Sequence, residues 1–163
     1  MILKLKNKDT LVFDQFEIKC AIGKKGLNNN KIEGDKTTPK GVFSFGKIYW
    51  RKDRVKKPPT KLKNKIITRN MFWCDNPKSK FYNKQVIATK GVKSEKLFRK
   101  DIKYNYFIVI NYNTKKIKKN KGSAIFLHLT NDYKKTDGCV AVSQKDFLII
   151  CKLISRDSKI VIS

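Results

Sequence analysis

Ser123-Ala124-Ile125-Phe126-Leu127-His128-Leu129-Thr130 and, after a short polar loop, Thr136-Asp137-Gly138-Cys139-Val140-Ala141-Val142 decide how this chain is read. Both are apolar runs of strand length. His128, the only histidine of the chain, ends the first run, and Gly138-Cys139 opens the second. Two adjacent strand ends would bring imidazole and thiol together. A cysteine nucleophile needs such a partner, because the thiolate attacks and a free thiol is mostly protonated at neutral pH. The histidine would take that proton. Gly138 has no Cβ, so it permits a positive φ and close approach of a substrate carbonyl. The amides of Gly138 and Cys139, with Asp137 beside them, are candidate oxyanion donors. By spacing alone, one His and one Cys eleven positions apart also fit a purely structural role.

Working outward, Ser143 with Asp146 three residues on has the form of a capping box. Phe147, Ile150, Cys151 and Ile154 then fall on one helical face. Lys159 to Ile162 closes the chain as a strand. Toward the N-terminus, Phe107 to Tyr112 reads as a strand and Ser94 to Arg99 as one short helix. Arg51 to about Gly91 is a long irregular stretch punctuated by Pro58, Pro59 and Pro77. Its aromatics Phe72, Trp73, Phe81 and Tyr82 suggest packing onto the domain, beside a groove or as a satellite cluster. Val42 to Trp50 reads as a strand after the loop Gly23 to Gly41. Met1 to Leu5 and Leu11 to Ile22 read as two more. The expectation is a mainly β chain with one solid helix, forming one domain over residues 1–163.

Composition narrows the function classes. Apolar residues make up 40% of the chain, enough for a real core. Lys plus Arg is 39 against 13 for Asp plus Glu, a net charge of +26. Such a surplus suits a polyanion partner. It equally fits the Lys, Asn and Ile bias of an AT-rich genome. The charges are spread along the chain, which favours a solvated surface over a binding arm. No segment reaches the ~18 apolar residues that cross a bilayer, and Met1 to Cys20 shows no secretory h-region. None of the four cysteines forms a C-x-x-C pair, which argues against a zinc ribbon or redox motif. Cys20 and Cys151 read as buried thiols. A zinc set of Cys74, Cys139 and His128 lacks ligand spacing.

The whole pattern resembles the L,D-transpeptidase catalytic domain family, the YkuD type. The residues that carry the likeness are His128, Thr136, Gly138 and Cys139, where the family has His, a loop, Ser or Thr, and Gly-Cys. Glu33-Gly34-Asp35 with Thr38-Pro39-Lys40-Gly41-Val42-Phe43 is similar to its EGD…TP-x-G-x-F segment, and Tyr49 to Arg54 to its Y-R-x-D-R segment. Trp73-Cys74-Asp75-Asn76-Pro77, Phe81-Tyr82-Asn83 and Ser123 to His128 resemble one bacterial branch. Asp137 stands where many members carry a second histidine, and Val140-Ala141-Val142 replaces their Asn or Arg.

The resemblance implies β-sandwich or barrel-like sheets with one or two short helices. It implies a peptidoglycan enzyme that uses no metal or other cofactor and is expected in the cell envelope. Cys139 would attack a stem-peptide amide and form a thioester. His128 would be the base, Gly138 and the Cys139 amide the oxyanion site, and Thr136 a loop-orienting group. Asp137 would either hold the imidazole or be a solvated carboxylate. Trp73, Asp75, Tyr82 and Asn83 are candidates for a donor groove, with packing and turn formation as the alternative. Arg51 and Arg54 are candidates for binding stem carboxylates, with surface ion pairing as the alternative. A hydrolase on the same stems and a non-enzymatic polyanion binder are the competing classes. No nucleic-acid module is visible, and anionic polymer contact would run through the basic surface.

Overall fold

In the computed structural model, which describes residues 1–87 and 94–163, strands dominate. β1 (Ile2–Lys6) pairs antiparallel with β2 (Thr10–Phe13), which turns back into β3 (Phe16–Ala21). Leu11 to Ile22, expected as one strand, is thus broken. Asp14 takes φ 49° at the turn, and the rings of Phe13 and Phe16 stack across it at 5.2 Å. β4 (Leu27–Asn28) and β5 (Thr38–Pro39) form a small parallel pair. β6 (Gly41–Trp50) is the longest strand, and β7 (Asn64–Ile66) lies parallel beside its end.

The stretch expected to be irregular carries more structure than its prolines suggested. It holds β7, β8 (Met71–Cys74) and β9 (Gln85–Ile87). Its last residues, 88–91, lie outside the described ones. Ser94 to Arg99 is not a helix. β10 (Ser94–Lys96) pairs antiparallel with β8, and the fully buried Leu97 anchors its end. Pairing with a neighbouring strand overrides the local helical preference of so short a segment.

β11 (Tyr106–Ile110), β12 (Phe126–Leu129) and β13 (Val140–Val142) carry the reading frame of the site. α1 (Gln144–Leu153) follows, with Ser143 Oγ accepting the Asp146 amide as its N-cap, and β14 (Lys159–Ile162) ends the chain. The large sheet runs β11-β12-β13-β3-β2-β1-β14-β6-β7, and β6 pairs back onto β11. That return gives the sheet its barrel-like form.

Alternation explains why β11 and β12 read as unbroken apolar runs. Tyr106, Ile108, Ile110, Leu127 and Leu129 point into the main core, which α1 covers with Phe147, Ile150 and Cys151 and its C-cap residue Ile154 completes. Phe107, Val109 and Phe126 point the other way, into a second core shared with Trp73, Met71 and Tyr104. Strands buried on both faces lose the polar alternation of a surface strand. His128 follows Phe126 by two residues, so it falls on the face of the second core. Cys139 packs against that same core from β13's leading edge.

Candidate active site

β12 and β13 run parallel, with Leu127 opposite Val140 and His128 opposite Ala141. One step back, Cys139 lies beside Phe126. The nucleophile candidate and the base candidate therefore share a sheet face, two registers apart. Both line a cavity of about 420 Å³. Its wall also includes Tyr104, Glu95, Asp75, Lys31 and Arg99, together with the exposed residues Lys24, Lys36, Lys103, Lys134 and Lys135.

The histidine is oriented by its own strand. Nδ1 lies 2.9 Å from the Leu129 carbonyl oxygen. A carbonyl only accepts, so Nδ1 carries the proton and Nε2 is left as the base. Tyr104 meets the imidazole edge-to-face at 5.6 Å and donates its hydroxyl to Glu95. Burial pushes the His128 pKa down to about 4, against a smaller upward pull from the Leu129 hydrogen bond.

The thiol has two backbone partners. Cys139 Sγ donates to the Ala124 carbonyl at 3.1 Å and accepts the Phe126 amide at 3.3 Å. Among the described residues it makes no hydrogen bond to His128. Burial raises its pKa to about 12, and the Glu95 charge adds to the rise. The Phe126 amide and Lys31 pull the other way. At rest the pair is therefore neutral thiol and neutral imidazole.

The Gly-Cys turn is fastened from below. Thr38 Oγ1 accepts the Gly23 amide at 2.9 Å and donates to the Gly138 carbonyl at 2.8 Å. Gly138 has φ 141°, and a Cβ there would stand 2.8 Å from the Thr37 carbonyl oxygen. Any side chain would push the turn off its support. Thr136 Oγ1 donates to the Cys139 carbonyl at 2.6 Å and accepts the Gly138 amide at 3.1 Å. The Gly138 amide is thus already engaged, which weighs against it as an oxyanion donor in this conformation. Asp137 pairs with Lys24 at 2.9 Å, and the imidazole is held by Leu129 instead.

This architecture has relatives. The family model described as L,D-transpeptidase catalytic domain, YkuD, matches residues 2–162. The chain belongs to the YkuD family. The fold is also similar to that of a solved structure, the helical cell shape determining protein Pgp2 from Campylobacter jejuni. The alignment has a TM-score of 0.51 at 16% identity, over 99% of this chain and 46% of that one. The likeness is one of fold, and the chain spans less than half of that protein's length. No curated protein matches the chain in sequence.

Of the six residues expected to contact substrate, Asp75 alone lines the cavity of this YkuD domain. Trp73, Tyr82 and Asn83 are 5%, 1% and 4% exposed and lie behind its wall. Arg51 and Arg54 sit in the turn after β6, apart from the lining. Arg51 grips Asp53 with two bonds of 2.8 and 2.6 Å and donates to the Arg99 carbonyl at 2.7 Å. Its guanidinium lies 3.4 Å over the Phe98 ring centroid. Arg54 donates to the Asp101 carbonyl at 3.0 Å. These arginines tie the turn to the 98–105 segment. Arg51→Ala is accordingly expected to cost about 2 kcal/mol, through the lost Arg99 and Phe98 contacts. Urea unfolding measures that loss, and the alkylation rate of Cys139 should stay at the wild-type value.

Residues not singled out from the sequence complete the cavity. Lys31, 4% exposed, donates to Asp35 at 2.6 Å and to the Thr37 carbonyl at 2.8 Å. Glu95 and Tyr104 form the hydrogen-bonded pair beneath the imidazole. Their only sequence signals are the EGD…TP segment that begins at Glu33, just after Lys31, and the apolar run after Tyr104. Cys74, weighed as a zinc ligand, is fully buried on β8 and absent from the lining.

Proposed function

We propose that this YkuD domain is a cysteine acyltransferase acting on peptidoglycan stem peptides, with Cys139 as nucleophile and His128 as general base. The observation that carries this reading is the shared cavity. Thiol and imidazole lie on one face of two parallel strands, and the Leu129 carbonyl fixes the tautomer with Nε2 as acceptor.

In the first half-reaction Sγ attacks the carbonyl carbon of the amide that follows the diamino acid. The thiol proton passes to Nε2 as the carbon–sulfur bond forms. The imidazolium then protonates the departing amine as the carbon–nitrogen bond breaks, leaving a thioester. In the second half-reaction an amine from another stem attacks the thioester and gives its proton to His128. The new amide forms and the thiol is restored. The lysines around the cavity supply counter-charge for stem carboxylates.

Water in place of the amine would make the same site an L,D-carboxypeptidase. A disaccharide tetrapeptide carrying meso-diaminopimelate, incubated with and without an added amine acceptor, tests the reading by mass spectrometry. A crosslinked product lacking the terminal residue, absent with Cys139→Ala, supports transpeptidation. Loss of the terminal residue alone assigns hydrolysis. No product from a folded enzyme whose Cys139 still alkylates would sink the stem-peptide reading.

A further inference from the structure

Ser123 and Ala124 line the cavity beside Cys139, and the segment Gly122-Ser123-Ala124 is held by the side chains of Tyr82, Glu33 and Asn83. The Gly122 amide donates to the Tyr82 hydroxyl at 2.9 Å. Ser123 Oγ donates to Glu33 Oε2 at 2.8 Å, and Tyr82 donates its proton to the same oxygen. The Ala124 amide donates to Asn83 Oδ1 at 3.0 Å.

Asn83 is fully used. Its Oδ1 also accepts Trp73 Nε1 at 2.9 Å, and its Nδ2 donates to the carbonyls of Tyr112 at 3.2 Å and Asn113 at 2.8 Å. Four bonds on one buried amide leave it no freedom to rotate. Ala124 meanwhile has φ 53°, a left-handed conformation that an alanine adopts only when its surroundings impose it. That conformation aims the Ala124 carbonyl at Cys139, whose thiol donates to it at 3.1 Å.

We infer that Glu33, Tyr82 and Asn83 form a positioning clamp for the nucleophile. They force Ala124 into the left-handed region and so park the Cys139 thiol on its carbonyl until substrate takes its place. Tyr82 and Asn83 act through the wall and touch neither substrate nor the reacting atoms, while Glu33 stands in the lining and links Tyr82 to Ser123. The inference rests on Cys139 being the nucleophile, as proposed above. It gives Tyr82 and Asn83, which lie out of reach of the cavity, a function of their own.

A carbonyl that accepts from a thiol favours the protonated form. Freeing it leaves Cys139 with the Phe126 amide, a donor that favours the thiolate. Asn83→Ala is therefore expected to move the pH midpoint of Cys139 alkylation by iodoacetamide downward, making alkylation roughly tenfold faster at a fixed pH. Turnover of the tetrapeptide should fall through kcat with KM held, because the thiol is no longer aimed. Tyr82→Phe keeps the buried ring and should move both readings the same way by less. It decides alone if Asn83→Ala does not fold. Folded variants that alkylate along the wild-type profile would overturn the clamp. Wild-type protein that alkylates normally but turns over no stem peptide would instead overturn the proposed function, since alkylation needs no substrate.

Discussion

Alkylation of Cys139 is expected to be slow at neutral pH and to accelerate steadily as pH rises toward about 12. Replacing His128 with Gln is expected to leave that profile in place while lowering stem-peptide turnover by roughly 10²–10⁴-fold. Both expectations come from one feature of the site. Burial holds the thiol up near 12 and the imidazole down near 4, so neither is charged at neutral pH. Little thiolate is then present at pH 7. Catalysis must move the proton during attack, with Nε2 receiving it as the carbon–sulfur bond forms. A reagent that needs preformed thiolate ignores His128, whereas the amide substrate depends on it. Mass spectrometry of the Cys139 peptide across a pH series reads the first quantity, and product formation reads the second. A wild-type alkylation midpoint near neutrality that His128→Gln abolishes would mean a resting ion pair, and the neutral-pair account would be wrong.

The buried imidazole also links stability to pH. In the unfolded chain His128 returns to about 6.5, and in the fold it stays neutral down to about 4. Its folded pKa is depressed, so the unfolded state binds the proton first. The contribution is present in full above the unfolded value and is lost as pH falls through the folded one. The loss amounts to about 3 kcal/mol between pH 6.5 and 4. Glu95 works in the opposite direction, because burial raises its carboxyl and protonation then favours the fold. Urea unfolding of wild type and His128→Gln at both pH values isolates the histidine. The wild type should lose about 3 kcal/mol more than the variant on acidification. Parallel stability curves would show that the imidazole is solvated in the folded protein.

The frame of the site is legible in the sequence. Apolar runs of strand length marked β11, β12 and β13, and Ser143 with its apolar face marked α1. The only histidine at a strand end and the Gly-Cys opening the next marked the pair. What stayed hidden depends on contacts between distant segments. Tyr82 and Asn83 stood in a recognisable motif, and such motifs suggest contact with substrate. Yet an asparagine held by four bonds behind a wall leaves the same trace in a sequence as one that reaches a ligand. Arg51 is open to two readings in the sequence for a related reason. A guanidinium that suits a substrate carboxylate suits Asp53 and a backbone carbonyl equally well. Ser94 to Lys96 has no periodicity long enough to announce a strand, and only its pairing with β8 makes it one. Lys31, Glu95 and Tyr104 reach the cavity from three separate parts of the chain, so no local pattern could have grouped them.

The double burial of β12 has an evolutionary consequence. Its even-numbered residues serve one core and its odd-numbered residues the other, so a slip by one position would trade His128 for Leu129 and ruin both. The loop that follows is packed into neither core. Thr130 is tied to Val142 at 2.8 Å and Thr136 to Ile22 at 2.9 Å, and between them residues 131–135 are largely exposed. Insertions and deletions there can accumulate without altering where base and nucleophile meet. Descendants of this domain should therefore differ freely in the count of residues from histidine to cysteine, while neither anchored end drifts.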